Sequence, residues 1–193
     1  MYAKVENNVI VKANSSLASF NRAAPSWSAE QLAANGIYEV VYDNTNLKDD
    51  RFYINGAESF TFANDTVTAS YAAATGKALD DVNEVDEDGN ALLDDDGVQM
   101  VTSGLKTNEK NQIKAQAAGQ LQSTDWYIVR HAEATTAIPA DVSTFRTAIR
   151  TKSNEIETSI DGASTVEALE ALFTYTTGAD DVVSRPLGEW PKL

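Results

Sequence analysis

The residues best suited to chemistry in this 193-residue chain are carboxylates in one acidic segment, residues 81–106. Calcium loops of the EF-hand type need acidic or amide side chains at their first, third and fifth positions. In the run at 86–90, Asp86, Asp88 and Asn90 fit these positions, whereas the run at 94–97 leads to Val98 at the fifth. Such a loop also needs glycine at its sixth position and a bidentate glutamate at its twelfth. Counted from the first acid of the first run, these positions hold Ala91 and Gly97. The pattern favours solvated acidic turns, and it leaves open a looser Ca²⁺ site or a patch that faces a basic partner.

The chain has a single histidine, His131, and no cysteine. Catalysis of the Ser-His-Asp kind would have to use this histidine, yet no nucleophile-elbow pattern is present. A zinc site would lack a second strong nitrogen or sulfur ligand. The surrounding residues 127–133 predict a segment that joins two helices, with the histidine in a surface or hydrogen-bonded structural role.

Two pairs of adjacent acids, Asp49 with Asp50 and Asp180 with Asp181, are the remaining candidates for acid–base chemistry. Paired carboxylates serve glycosidases when they flank a cleft. Neither pair lies between two predicted strand ends in a way that indicates a cleft, and no glycine-rich phosphate loop is present. We therefore expect no enzyme activity, and we assign no catalytic, cofactor-binding or metal-ligating residue.

Charge and composition limit the partners that the chain can have. The net charge is −14, and it divides into −3 over residues 1–80, −7 over 81–106 and −4 over 107–193. Such a chain repels phosphate backbones and anionic membrane surfaces, so we expect neither nucleic-acid binding nor membrane insertion. The absence of cysteine fits synthesis in a reducing cytosol. No signal peptide is expected at the N-terminus, and no apolar stretch approaches the ~18 residues of a membrane span.

The first 80 residues predict a small antiparallel β-sheet module. Alternating apolar and polar residues, with β-branched and aromatic side chains, are typical of strands that have one buried face. Ser28 to Gln31 has the form of a capping box and predicts a short helix that stops at Asn35-Gly36. Asn55-Gly56 and Asn64-Asp65 predict tight hairpin turns. Strands are predicted at residues 2–5, 9–12, 37–42, 51–54, 58–62 and 66–71, with a first hairpin turn at 6–8.

The remainder of the chain predicts an acidic β-hairpin or meander at 81–106 and a helical module at 107–193. Ile113, Ala117 and Leu121 repeat every four residues along a first helix. Pro139 opens a second helix, which folds back on the first as a hairpin. Ser164 with Glu167 indicates a third, short helix, and an irregular tail follows from Gly178. The apolar side of the second helix is formed by Val142, Phe145, Ile149, Ile156 and Ile160, with Arg146 and Arg150 placed outside it. The fold class predicted is therefore α+β.

Two motifs in the helical module resemble the C-terminal region of tail-fibre assembly-type proteins of tailed bacteriophages. They are Leu-Gln-Ser-Thr-Asp-Trp at 121–126 and Phe-Arg-Thr-Ala-Ile-Arg at 145–150, and the Trp-Pro ending at 190–191 fits the same pattern. The match covers about residues 107–193. In these proteins the stretch equivalent to 78–82 passes straight into the helix, so the acidic segment is a departure from their pattern.

The resemblance implies a phage virion structural protein, tail-, fibre- or baseplate-associated, that acts through protein–protein packing. The alternative that it implies is a tail-fibre assembly chaperone, which binds fibre subunits transiently. Either way, the implied partners are other phage tail or fibre proteins, in a homo- or hetero-oligomer. The implied location is the virion, after synthesis in the host cytoplasm.

Three tryptophans are candidates for contact residues. For Trp126 and Asp125 we favour a structural interpretation, in which the aspartate caps the second half of the hairpin and the indole seals the helix crossing. The alternative is a contact with a fibre or a neighbouring subunit. Trp27 and Trp190 lie in irregular segments next to proline, where a tryptophan is either a core plug or an interface anchor.

Overall fold

A computed structural model of the chain describes residues 1–178, 180–181 and 183–193. Within these residues the chain forms two compact units, Met1–Gly76 and Lys77–Leu193. The first unit is a mostly antiparallel sheet, and the second carries most of the helices. The predicted α+β class is therefore confirmed. No helix in the described part of the chain is long and apolar enough to cross a membrane.

The first unit is built on a five-stranded sheet. The elements of this unit are β1 (Tyr2–Glu6), β2 (Val9–Ser15), α1 (Ala29–Ala34), β3 (Ile37–Asp43), β4 (Tyr53–Ile54), β5 (Glu58–Ala63), β6 (Thr66–Tyr71) and β7 (Thr75–Gly76). The strand order of the sheet is β2-β1-β3-β6-β5. The hairpins β1–β2 and β5–β6 turn at Asn7-Asn8 and at Asn64-Asp65, and all four turn residues have positive φ angles between 50° and 62°. This is the type I′ geometry that matches strand twist, so both predicted hairpins are confirmed.

One strand pair of this sheet departs from the predicted antiparallel arrangement. β3 and β6 run parallel, with Val40 opposite Val67 and Asp43 opposite Ser70. The chain leaves β3, forms β5 at the sheet edge and returns through the hairpin, so that β6 enters the position between them. Local sequence patterns specify hairpins but not which strand fills an interior position, so the parallel pair was not predicted.

The predicted Asn55-Gly56 hairpin is wrong. β4 pairs with β7 instead of β5, with Tyr53 opposite Gly76. The Asn55 side chain accepts from the Lys48 backbone N–H (2.8 Å) and donates to the Lys48 carbonyl (2.9 Å), so it closes the preceding loop. A Cβ at Gly56 would lie 2.6 Å from the Ala72 carbonyl oxygen, so this glycine permits a close backbone approach instead of a turn.

The core of the first unit lies on one face of the sheet. Ala3, Val5, Val40, Val67 and Ala69 are buried there, and partly buried aromatic and aliphatic side chains of the neighbouring strands pack against them. The edge strands β2 and β5 approach each other, so the sheet curls around this core. α1 has the capping box that the sequence predicts.

The second unit is centred on two long helices that pack as an antiparallel hairpin. They are α2 (Leu105–Gln122) and α4 (Ala140–Gly162), and α2 begins two residues before the predicted helical module. The five apolar residues predicted on the inner face of α4 are all buried, so the helical-hairpin core is confirmed. Ion pairs from Lys110 to Asp161 (2.7 Å) and from Lys114 to Glu157 (3.5 Å) flank the seam.

Two predictions for the shorter helices of this unit need correction. The segment expected to join two helices is itself a helix, α3 (Asp125–Ala134), which ends where Thr135 adopts a left-handed conformation. The short helix α5 (Val166–Phe173) is capped by the Thr165 hydroxyl and not by Ser164, because only Thr165 accepts from the Ala168 N–H.

The tail after α5 is not wholly irregular. β10 (Thr176–Thr177) pairs with β11 (Val183–Ser184), which corrects the predicted irregular tail in that stretch. Residues 179 and 182 of the predicted tail lie outside the described residues.

The acidic segment does form a small β-structure, as predicted. β8 (Val82–Asn83) pairs with β9 (Val101–Thr102), and single bridges join Val85 to Ala91 and Leu93 to Gln99. Each acidic run makes one tight turn, because the carbonyls of Asp86 and Asp94 accept from the backbone N–H three residues later. The segment lies in the second unit, directly before α2.

Candidate functional site

The guanidinium of Arg146 is a buried polar group that α4 places at the C-terminal end of α2. Its Nη1 lies 2.7 Å from Thr124 Oγ1, 3.0 Å from the Leu121 carbonyl oxygen and 2.8 Å from Asp125 Oδ1. Arg146 is 7% exposed and Thr124 is 1% exposed. We call these four residues the helical corner, because they hold the chain where it leaves α2 and starts α3.

The electrostatics of the corner follow from the end of α2. The last carbonyls of a helix have no partner within the helix and carry the negative end of its dipole. The Leu121 carbonyl accepts from the Thr124 N–H (2.9 Å), from the Thr124 hydroxyl (2.8 Å) and from Arg146. A cation at this position is therefore favourable, and its charge is balanced by Asp125.

The prediction that Arg146 lies outside the apolar side of α4 is wrong, because the residue is buried. It follows Val142 by four residues and precedes Ile149 by three, so its position falls inside the apolar stripe. This spacing is the signal that would have indicated its burial. The apolar stripe accepts a charge here because Nη1 meets three oxygen atoms, which offset part of the loss of hydration of the guanidinium.

The interpretation of Trp126 as a seal of the helix crossing is wrong. Its indole is 50% exposed, and on the same helix Ile128 is 38% and Val129 is 54% exposed. The ring centroids of Trp126 and Tyr127 lie 3.8 Å apart, and the Arg130 guanidinium lies 4.7 Å from the Trp126 ring. α3 therefore exposes aromatic and apolar side chains to solvent. Trp126 and Val129, three residues apart, lie on the same side of the helix, and we call this side the α3 face.

Asp125 has a different role from the predicted helix cap. It is the first residue of α3, whose N-cap Thr124 makes no side-chain capping bond. Its carboxylate pairs with Arg146 and remains 57% exposed. The aspartate therefore fixes the direction in which α3 leaves the corner.

Trp190 packs against the core of the helical unit. It packs against the buried cluster of Ala117, Phe145 and Ile149, and its Nε1 donates to Gln116 Oε1 at 3.2 Å. Trp27, in the first unit, is half-buried at the end of a 3₁₀ turn, Ala24–Ser26. The two interpretations of a tryptophan next to proline are thus resolved for Trp190 in favour of packing.

The residues that could take part in chemistry lie on different elements of the two units. His131 is exposed in the last turn of α3, with Nδ1 2.9 Å from the Thr136 carbonyl oxygen. Asp49 and Asp50 lie in the loop before β4 in the first unit, where Asp49 Oδ1 accepts from the Arg51 N–H. The exposed pair at 180–181 lies between β10 and β11 in the second unit.

The acidic turns use their first carboxylate to bind the backbone. Asp86 Oδ1 accepts from the N–H of Asp88 (3.0 Å) and of Asn90 (2.8 Å), and Asp94 Oδ1 does the same eight residues later. The Asn90 backbone N–H is the main cause that holds the pKa of Asp86 below its usual value. Among the described residues, no three His, Asp or Glu side chains converge in a way that could hold a metal ion.

Comparison of the chain with protein-family models, with curated proteins and with solved structures finds no match.

Proposed function

We propose that this protein is a structural component of a tailed-bacteriophage particle, associated with the tail, fibre or baseplate, and that it works by packing against other phage proteins. The α3 face carries this proposal. The resemblance of residues 121–126 and 145–150 to tail-fibre assembly-type proteins supplies the phage context.

The helical corner supports the use of that resemblance. The two motifs are about twenty residues apart in sequence, and their polar members Thr124, Asp125 and Arg146 form one hydrogen-bonded group. The motifs therefore describe a single structural device, a buried arginine that binds the end of one helix and the start of the next.

The α3 face supports action through packing. Trp126, which is 50% exposed, and Val129, which is 54% exposed, leave apolar surface in water on one side of this helix. Burial of such side chains contributes about 1.5–3 kcal/mol each when it is complete. Tryptophan and arginine are enriched at the energetic centres of protein interfaces, and here Arg130 stacks on Trp126. The helical corner holds this face in place before any partner binds.

Mass spectrometry of washed virions tests the proposal. We expect peptides of this protein in a fixed ratio to a known tail protein. Absence from virions would contradict a structural role. Absence from virions together with a complex with fibre subunits in infected cells would instead favour the assembly chaperone.

A pair of variants connects the test to the α3 face. Trp126→Ala with Val129→Thr alters exposed side chains only, so the fold should persist while incorporation into particles falls. Val9→Thr, at a residue that is 62% exposed in the first unit, is the matched control and should be incorporated normally. Equal incorporation of both variants would show that the α3 face is not the packing surface.

A further inference from the structure

The acidic segment Val82–Thr102 has an internal three-fold pattern with a period of eight residues. The Leu92 N–H donates to the Glu84 carbonyl (3.0 Å), the Met100 N–H to the Leu92 carbonyl (2.8 Å), and the Glu84 N–H to the Met100 carbonyl (2.9 Å). These three bonds form a closed ring. We call the segment Val82–Thr102 the three-fold hairpin.

The strand pairs of the three-fold hairpin follow the same period. Val85 pairs with Ala91, Leu93 with Gln99, and Val101 with Asn83, where the third pair joins the two ends of the segment. The Gln99 Nε2 lies 2.8–3.0 Å from all three carbonyl oxygens of the ring. The frame is thus held by backbone and amide hydrogen bonds, and Val85, Leu93 and Val101 occupy equivalent positions around it.

This frame has no apolar core. Glu84 and Gln99 are half-buried, and every other residue of the three-fold hairpin is exposed. Small β-hairpins without a packed face are marginally stable in water. Seven large apolar side chains are nevertheless exposed on it, namely Val82, Val85, Leu92, Leu93, Val98, Met100 and Val101, each between 37% and 59%. Seven large apolar side chains exposed on so short a segment are unusual for a surface in water, and they indicate that another surface covers at least some of them.

The charge of the three-fold hairpin indicates which kind of surface can cover it. The three-fold hairpin carries seven acids and no base, which is half of the net charge of the chain. A second copy would bring −7 against −7, and like charges across an interface oppose association. An anionic membrane or a nucleic acid is opposed for the same reason. A surface that matches both features is apolar at its centre and rimmed by lysine or arginine.

We propose that the three-fold hairpin is the docking element for a partner protein with an apolar surface rimmed by basic side chains. Val85, Leu93 and Val101 supply the apolar contact. Glu87 and Asp95, at equivalent positions of the two turns, supply long-range attraction. The proposal rests on the proposed function only in taking the partner to be another phage protein.

Site-specific photo-crosslinking in infected cells tests this proposal on the full chain. A p-benzoylphenylalanine residue replaces Leu93, the cells are irradiated, and the adduct is mapped by mass spectrometry. We expect an adduct with one other phage protein, at apolar residues that are neighboured by lysine or arginine. An adduct with a second copy of this chain, an adduct at an acidic surface, or no adduct would overturn the proposal.

A charge variant makes the test quantitative. Glu87→Gln, Asp88→Asn, Asp95→Asn and Asp96→Asn together remove four of the seven charges and spare the two carboxylates that form the turns. The adduct yield should fall by about tenfold, because loss of attraction at a charged interface slows association. Circular dichroism must show an unchanged fold. An unchanged yield from the folded variant would also overturn the proposal.

The two proposals fail in different ways. If the protein is missing from washed virions but the Leu93 probe still reaches a basic phage protein in cells, the structural role fails and the docking element stands. If virions contain the protein and the probe gives no adduct, the docking element fails and the structural role stands.

Discussion

Arg146 on α4 and Asp125 at the start of α3 form an ion pair, with Nη1 and Oδ1 2.8 Å apart. The arginine is buried and the carboxylate is 57% exposed, so the pair joins the core of the helical unit to its surface. The same nitrogen binds the Thr124 hydroxyl and the end of α2. The Arg146 side chain therefore connects three successive helices, α2, α3 and α4.

Replacement of this arginine should destabilise the helical unit. Arg146→Met keeps the apolar stem and removes all three contacts, and it leaves the Leu121 carbonyl and the Thr124 hydroxyl without their charged donor. We expect a loss of about 2 kcal/mol in the free energy of unfolding, since Asp125 remains solvated. Urea denaturation followed by circular dichroism measures it. Arg150→Met, at an exposed position one turn later, is the control, and equal losses for the two variants would contradict the role of the corner.

The two tryptophans of the helical unit should respond in opposite ways to truncation. Trp190→Ala removes a side chain that packs on Phe145 and Ile149, so the free energy of unfolding should fall by about 2–3 kcal/mol. Trp126→Ala affects a half-exposed ring and should cost less than about 1 kcal/mol. Thermal unfolding of both variants gives the comparison. A larger loss for Trp126→Ala would restore the indole as a seal of the helix crossing.

Two glycines of the helical unit should give opposite signs when changed to alanine. Gly119 lies within α2 and has open space where a Cβ would be, so Gly119→Ala should stabilise the unit by about 0.5–1 kcal/mol. A Cβ at Gly104 would lie 2.3 Å from the Asp80 carbonyl carbon, so Gly104→Ala should cost about 1–3 kcal/mol. Denaturant midpoints measure both changes. Stabilisation by Gly104→Ala would refute the close approach before α2.

The acid sensitivity of the helical unit should depend on Asp81. Its pKa is held below the ordinary aspartate value, first by the Gly104 N–H, which donates to Oδ1 at 2.8 Å, and then by the Thr107 hydroxyl. A group whose pKa is lower in the folded state stabilises the fold above its unfolded-state pKa. That stabilisation is lost as the pH falls through the lower folded-state pKa.

The measurement is the free energy of unfolding of wild type and of Asp81→Asn from about pH 5 to about pH 2. The variant should be less stable than wild type at the upper end, and the difference should shrink toward the lower end. Asp95→Asn, on an exposed turn of the same unit, should track the wild type. A constant difference across the range would mean that the carboxylate charge is not what binds the start of α2.

Most of the successful predictions rest on neighbouring residues. The left-handed turns at Asn7-Asn8 and Asn64-Asp65 and the capping box at Ser28 depend on a few adjacent side chains and their own backbone. The inner face of α4 depends only on helical periodicity. Such features are energetically local, so their sequence signals hold in any fold that contains them.

Several errors came from contacts between distant residues. Asn55-Gly56 has the composition of a hairpin turn, but its side chain binds Lys48 and its backbone approaches Ala72. The close approach of the Ala72 backbone, and not a hairpin turn, requires glycine at position 56.

The sequence by itself determined the α+β order of elements, the two Asx-rich hairpins and the apolar seam between α2 and α4, because periodicity and turn chemistry act over a few residues. Only the tertiary structure decided that Arg146 is buried and Trp126 is exposed. Arg146 is buried because oxygen atoms at the end of α2 and the start of α3 surround its Nη1, and Trp126 is exposed because no other element among the residues that the structure describes covers its indole. The closed ring of Glu84, Leu92 and Met100 is likewise tertiary: its last bond joins residues sixteen positions apart, a distance over which no local propensity acts.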